Sequence, residues 1–153
     1  MSAPFSRRVP QIVERATAAL PQTTDVALFR ITSGKVRILS IIGEVTTVIQ
    51  TQANATKIKF NPSGTGSDVD LCATLDITAD AVGTFYSITG TVATAMKGDT
   101  NLFVTVPAND IAYPGLVLGP GDIELDCAAS NTGNVKCTVK YVPEDSAGVL
   151  VAV

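Results

Sequence analysis

The chain has 153 residues, of which 46% are hydrophobic and 16% are charged, and it contains neither histidine nor tryptophan. This length suits one domain with a substantial core. A formal net charge of −3 provides no overall positive field for nucleic acid. No apolar run approaches the roughly 20 residues that span a bilayer. Histidine is the commonest general base and metal ligand, so its absence weakens a hydrolase triad or a zinc site. No serine has a plausible base and no carboxylate pair has a catalytic spacing, so we expect no enzyme, no cofactor and no metal site.

The low content of charged residues has two explanations. The surface is covered by threonine, serine and asparagine, or part of it is buried against another chain. Both explanations stay open at this point.

Residues 1–10, MSAPFSRRVP, predict an extended arm. Pro4 and Pro10 oppose helix formation, and Arg7 and Arg8 make the segment positively charged. The two arginines are not followed by an apolar run, so we expect no secretory signal here. The arm is either a disordered end or a segment that becomes ordered on a negatively charged or symmetric partner.

The next segments favour β-structure. Residues 11–20, QIVERATAAL, fit a short helix or an edge strand, and the β character of the neighbouring segments favours the strand. Residues 26–32 predict a second strand. Residues 35–50, KVRILSIIGEVTTVIQ, hold the densest run of β-branched residues and predict one long bent strand or two strands sharing a corner. Gly43 interrupts this run and predicts a bulge or bend. On the first half, Val36, Ile38, Ser40 and Ile42 are expected to share one face.

Further short strands follow. Residues 56–61 place Ile58 and Phe60 on the opposite face from Lys57 and Lys59. The remaining predicted strands are residues 69–77, in which apolar and polar residues alternate, 84–91, 102–106 and 116–118, with a turn at residues 98–101.

Residues 122–127 and 135–142 predict a hairpin around the turn AASNTGN. A turn centred on Thr132 places three apolar pairs on one face: Ile123 with Tyr141, Leu125 with Val139, and Cys127 with Cys137. The same register sets Glu124 opposite Lys140 on the polar face.

Together these segments predict an all-β protein, an antiparallel β-sandwich of jelly-roll type with about nine short strands and little or no helix. After the arm at 1–10, residues 11–153 form a single domain with an apolar tail at 146–153. The tail either packs as the last strand of its own domain or adds to the sheet edge of a neighbour.

The candidate sites are weak. Cys72, Cys127 and Cys137 favour buried reduced thiols over a Cys127–Cys137 disulfide, and no CxxC spacing supports zinc. A calcium hypothesis rests on four aspartates without an EF-hand loop, namely Asp68, Asp70, Asp76 and Asp80. The residues that we expect at a partner interface lie at the two ends of the chain: Phe5, Arg7, Arg8, Val149, Leu150 and Val151.

Three segments carry a family resemblance: ATAALPQTTDVALFRITSGKVRILSIIGEVTT, DVDLCATLDI and GPGDIELDCAASNTGNVKCTVKYVPED. The last contains the pattern SNTGxVKxxxxYxP. Together they resemble small structural proteins that tailed bacteriophages encode beside their head genes, in which such a hairpin closes a β-sandwich.

The resemblance implies a capsid decoration (cement) protein that binds the outer surface of an HK97-type shell. Its partners would be the major capsid protein and further copies of itself, as a trimer or a dimer, with no nucleic acid and no membrane. It would be located on the capsid exterior of the virion after assembly in the host cytoplasm. No functional residue carries over, because that family is defined by fold and interface. The alternatives are a tail, baseplate or fibre-tip component and a carbohydrate-binding module.

Overall fold

A computed structural model describes residues 9–100, 103 and 116–153. Two antiparallel six-stranded sheets pack face to face, which confirms the predicted all-β sandwich. None of the described residues belongs to a helix, so none forms a helix that could cross a membrane. The strands are β1 (Gln11–Ala19), β2 (Asp25–Ser33), β3 (Val36–Thr47), β4 (Ala55–Pro62), β5 (Val69–Asp70), β6 (Leu75–Asp76), β7 (Phe85–Ser87), β8 (Lys97–Asp99), β9 (Leu116–Leu118), β10 (Gly121–Cys127), β11 (Asn134–Pro143) and β12 (Val149–Ala152).

The two sheets draw their strands from both halves of the chain. Sheet I has the order β1-β11-β3-β7-β8, and β9 also pairs with β3. Sheet II has the order β12-β2-β10-β4-β5, and β6 also pairs with β4. Consequently β1 and β12, the first and last strands of the chain, are edge strands of opposite sheets.

The described strands number twelve rather than about nine. One reason is that the predicted strand at 69–77 is divided into β5 and β6, which both pair with β4. Cys72, which the alternation placed on the polar face, is fully buried between them. A second reason is that β8 occupies part of the predicted turn at 98–101. The predicted strand at 84–91 shortens to β7.

The central strand β3 is continuous and carries two register shifts, neither of which lies at Gly43. Lys140 pairs with Ser40 and Tyr141 with Ile38, so Leu39 is an extra residue in β3. An extra residue reverses the alternation that follows it, and the buried side chain is therefore Ile41 rather than Ile42. Gly43 lies opposite Tyr86 of β7, and a Cβ there would be in ordinary van der Waals contact with the Tyr86 ring at 3.4 Å.

The predicted hairpin register at 122–142 is wrong. β10 pairs with β2 and β4 in sheet II, whereas β11 pairs with β1 and β3 in sheet I. Glu124 accordingly lies beside Lys59 rather than Lys140. The six side chains expected on the apolar face are nevertheless all buried, because both strands turn their inner faces to the same core: Ile123, Leu125, Cys127, Cys137, Val139 and Tyr141.

The core lies between the sheets and includes Phe29, Val36, Ile38, Val45, Ile123 and Val139, each fully buried. Two loop contacts join the sheets at the edge opposite β1 and β12. Ala73 forms a β-bridge with Ala95, and the Ala73 N–H donates to the Thr94 carbonyl at 3.0 Å. Residues 1–8 of the arm predicted at 1–10 and, apart from Phe103, the predicted strand at 102–106 lie outside the described residues.

Candidate partner interface

The C-terminal tail forms an edge strand of its own domain. β12 pairs with β2, and the Leu150 side chain enters the core. Val149, Val151 and Val153 alternate with it and remain 43%, 40% and 50% exposed. Since alternate residues of a strand share one face, these three valines form an apolar strip on the outer side of sheet II.

Contacts with β1 and β11 of sheet I hold this edge in place. The Arg15 guanidinium donates from Nε to the Val153 carbonyl at 2.9 Å. The Leu150 N–H lies 3.5 Å from the Tyr141 hydroxyl, which donates to Gln11 Oε1 at 2.9 Å. The tail therefore packs as the last strand of its own domain, the first of the two predicted alternatives.

The rest of the outer side of sheet II is strongly charged. We call this surface the acidic face, and it carries Asp25, Asp68, Asp70, Asp122, Glu124, Asp126, Arg30, Lys57 and Lys59. Six carboxylates against three cations give 3 − 6, a local charge of −3. The charges arise from strand alternation, because Ile58, Phe60, Ile123 and Leu125 on the same strands face the core.

Lys59 is the centre of the acidic face. Its side chain is only 12% exposed, and its ammonium contacts the Asp25 carboxylate and lies 2.7 Å from Asp68 Oδ2. The hydrogen bonds to Asp25 and Asp68 raise the pKa of Lys59 well above its ordinary value. Carboxylates from β2, β10 and the segment before β5 thus converge on one cation.

Glu124 is the least satisfied group of this cluster. It is 7% exposed, and Asn61 Nδ2 donates to its Oε1 at 3.2 Å. Its Oε2 has no hydrogen-bond donor and lies 3.8 Å from the Lys59 ammonium. Burial raises the pKa of Glu124, and the attraction of Lys59 only partly offsets that effect.

The acidic residues of the calcium hypothesis are not brought together. Asp70 pairs with Lys57 at 2.9 Å, and the Tyr86 hydroxyl donates to Asp80. Asp76 Oδ1 accepts from the backbone N–H of Asn54 at 2.9 Å. Asp25, Asp68 and Glu124 do place ligand atoms within 4.8 Å of one another. The Lys59 ammonium already occupies the centre of that group, so these residues form an ion-pair cluster.

Asp76 gives the fold a pH-dependent contribution. Hydrogen bonds from the Asn54 N–H and the Thr78 hydroxyl lower its pKa below 3.8. Because the pKa is lowered, ionised Asp76 stabilises the fold above the ordinary pKa, and this stabilisation is lost as pH falls through the pKa of the folded state.

Asp76→Asn should therefore lower the melting temperature at pH 7. The difference from wild type should narrow as pH falls below about 3.8 towards the lower pKa of the folded state, where the wild-type carboxylate also becomes protonated. A constant difference between pH 7 and pH 2.5 in thermal melts would contradict this.

The outer side of sheet I differs in character. It carries ion pairs between neighbouring strands and segments, namely Lys136 with Glu14 at 3.0 Å and Arg37 with Glu144 at 2.9 Å. Ile12 is 69% and Val117 is 43% exposed on this side. The two outer surfaces therefore offer different chemistry, one negatively charged with an apolar strip and the other close to neutral.

The three cysteines are free and buried, as predicted. Cys127 and Cys137 belong to opposite sheets. Burial raises the pKa of the Cys137 thiol to about 11, so it is protonated and unreactive at neutral pH. A void of about 30 Å³ near Cys137 and Met96 is lined mainly by apolar side chains and is close to the size of one water, too small for an organic ligand.

The six residues expected at a partner interface do not share one environment. Val149 and Val151 are exposed beside the acidic face, Leu150 is in the core, and Phe5, Arg7 and Arg8 lie outside the described residues. Sequence reasoning missed the Lys59 cluster, whose members are separated by up to 99 positions from Asp25 to Glu124. Comparison with protein-family models, curated proteins and solved structures finds no match to this chain.

Proposed function

We propose that this chain is a virion structural protein that binds the outer surface of a phage capsid and stabilises the shell, without enzymatic activity. The proposal starts from the resemblance to phage-encoded structural proteins. Its partners are the major capsid protein and further copies of the chain. Its location is the exterior of the capsid, reached after assembly in the host cytoplasm.

The observation that carries the proposal is the valine strip of β12 beside the acidic face. Val149, Val151 and Val153 are each at least 40% exposed, although the strand that bears them is fixed at both ends by contacts with sheet I. Exposed apolar side chains on a rigid strand are suited to burial against a partner. The neighbouring charges supply the polar rim that surrounds such contacts.

Binding to empty phage heads tests this proposal. Val149→Asp/Val151→Asp should weaken co-sedimentation with the heads at least about tenfold, because burial of two valines contributes about 1.5 kcal/mol or more. The matched control is Val117→Asp, which changes an equally exposed valine on the outer side of sheet I and should leave binding unchanged. Circular dichroism and thermal melts establish that each variant is folded.

The outcomes separate the alternatives. Equal loss in Val117→Asp and in the double variant would mean that β12 is not the binding edge. Absence of wild-type protein from the pelleted heads would contradict capsid binding. Binding to purified tails or to a glycan array in place of heads would support a tail component or a carbohydrate-binding module.

A further inference from the structure

The carboxylates at the end of the acidic face farthest from β12 are its most accessible. Asp70 is 49% and Asp68 is 41% exposed at their side chains, and Val69 between them is 51% exposed. β5, which contains Val69 and Asp70, is the last strand on the path of sheet II. An edge segment with two carboxylates and one apolar side chain is therefore open to a partner.

The charge of this segment is only partly balanced. Asp68 shares Lys59 with Asp25, and Asp70 pairs with Lys57. Glu124 adds a carboxylate oxygen that has no hydrogen-bond donor. A carboxylate has about four lone-pair sites, so each exposed aspartate retains acceptors after one lysine contact. A partner suited to this edge would carry cationic side chains that donate several hydrogen bonds.

Residues 1–8 have that composition. MSAPFSRR contains two guanidinium groups and one aromatic side chain, Arg7, Arg8 and Phe5, with no acidic residue. Guanidinium groups bind carboxylates with two parallel hydrogen bonds. The arm therefore offers two cations to an edge that offers two exposed anions.

The arm of the same molecule would have to cross the whole width of sheet II to make these contacts. Arg8 is three residues before Gln11, so extended chain carries it at most about 10 Å from the start of β1. β1 lies beside β12, and β5 is four strand positions away from β12 in sheet II. Four spacings of about 4.8 Å amount to about 19 Å, before the chain has passed from one sheet to the other. A second molecule can make the contact without this crossing.

We propose that the N-terminal arm of one copy binds the Asp68–Val69–Asp70 edge of a second copy, through ion pairs from Arg7 and Arg8 to the two exposed aspartates. The inference rests on the proposed function, because it supplies the contact between neighbouring copies on a shell. It also explains why the acidic face holds more carboxylates than its own lysines neutralise.

The test uses the full chain and two complementary variants. Arg7→Ala/Arg8→Ala removes the cations of the arm and keeps the acidic edge, whereas Asp68→Asn/Asp70→Asn removes the edge and keeps the arm. Light scattering should show self-association of wild type, and at least a tenfold weaker association of each variant alone. A mixture of the two variants should associate, because one supplies the edge and the other the arm.

The control is Glu14→Gln/Glu44→Gln, which removes two carboxylates from sheet I and should associate like wild type. Raising salt from 50 to 500 mM should weaken wild-type association. If Asp68→Asn/Asp70→Asn fails to fold, association of Arg7→Ala/Arg8→Ala and the salt dependence of wild-type association still test the arm contact.

The inference is overturned by a wild-type protein that stays monomeric, or by an arm variant that associates like wild type. It is also overturned if the two variants, each folded, fail to associate when mixed. Head binding is measured separately by co-sedimentation. Association through the arm without head binding would contradict the proposed function alone, whereas head binding by a monomer would contradict the arm contact alone.

Discussion

Phe29→Ala should lower the free energy of unfolding by about 3–5 kcal/mol, because removal of a fully buried aromatic ring leaves a cavity. Phe29 is on β2, between β12 and β10, and its side chain lies in the core between the two sheets. The loss should therefore weaken both the valine edge and the acidic face. Urea denaturation followed by circular dichroism measures the effect through the transition midpoint.

Phe85→Ala is the matched control, since Phe85 is only half-buried on the outer side of sheet I and packs edge-on against Phe103 at 6.3 Å. Its truncation should cost clearly less than that of Phe29. Equal losses for the two phenylalanines would mean that the core does not lie where the two sheets meet.

Lys59→Met should lower the free energy of unfolding by about 1–3 kcal/mol at pH 7, between the values for an exposed and a broken buried ion pair, because Asp25 and Asp68 are 39% and 41% exposed. Methionine keeps most of the apolar stem but leaves Asp25, Asp68 and Glu124 facing one another without a cation. Lys57→Met is the control, because Lys57 is more exposed and pairs only with the half-exposed Asp70. A surface pair of this kind contributes about 0–1 kcal/mol.

The pH dependence of these variants has a defined sign. The pKa of Lys59 is raised, so its contribution is fully present below the ordinary value of 10.5 and is lost as pH rises through the folded value. The pKa of Glu124 is also raised, so the fold loses stability as pH rises through that pKa. Acidification of Lys59→Met should therefore recover part of the lost stability by protonating the carboxylates. A stability difference between wild type and Lys59→Met that grows from pH 7 to pH 4 would contradict the role given to Lys59 in this cluster.

The fold class was predictable because alternation identifies which side chains face a core. The same information cannot tell which of two sheets a strand joins, since both sheets of a sandwich turn their apolar faces inward. β10 and β11 illustrate this limit: their buried residues were predicted correctly and their pairing was not. The seven residues expected to form the turn are long enough to cross between the sheets.

No sequence pattern indicated the bulge in β3 either. Leu39 is an ordinary strand residue, and only its extra position opposite β11 reverses the faces that follow. A bend was predicted at Gly43, but neither register shift of β3 lies there. The Lys59 cluster left no local pattern, because strand pairing brings together residues far apart in the chain. Alternation did place Lys57 and Lys59 on the face that proved to be polar.

Electron cryo-microscopy of phage heads, imaged with and without the purified protein, tests the proposed function most directly. The account predicts added density on the outer surface of the shell, large enough for this 15.8 kDa sandwich, with the β12 edge towards the capsid protein. Val149→Asp/Val151→Asp should remove that density, and Val117→Asp should preserve it. Bare heads after incubation with folded wild-type protein, or density confined to the tail, would contradict the account.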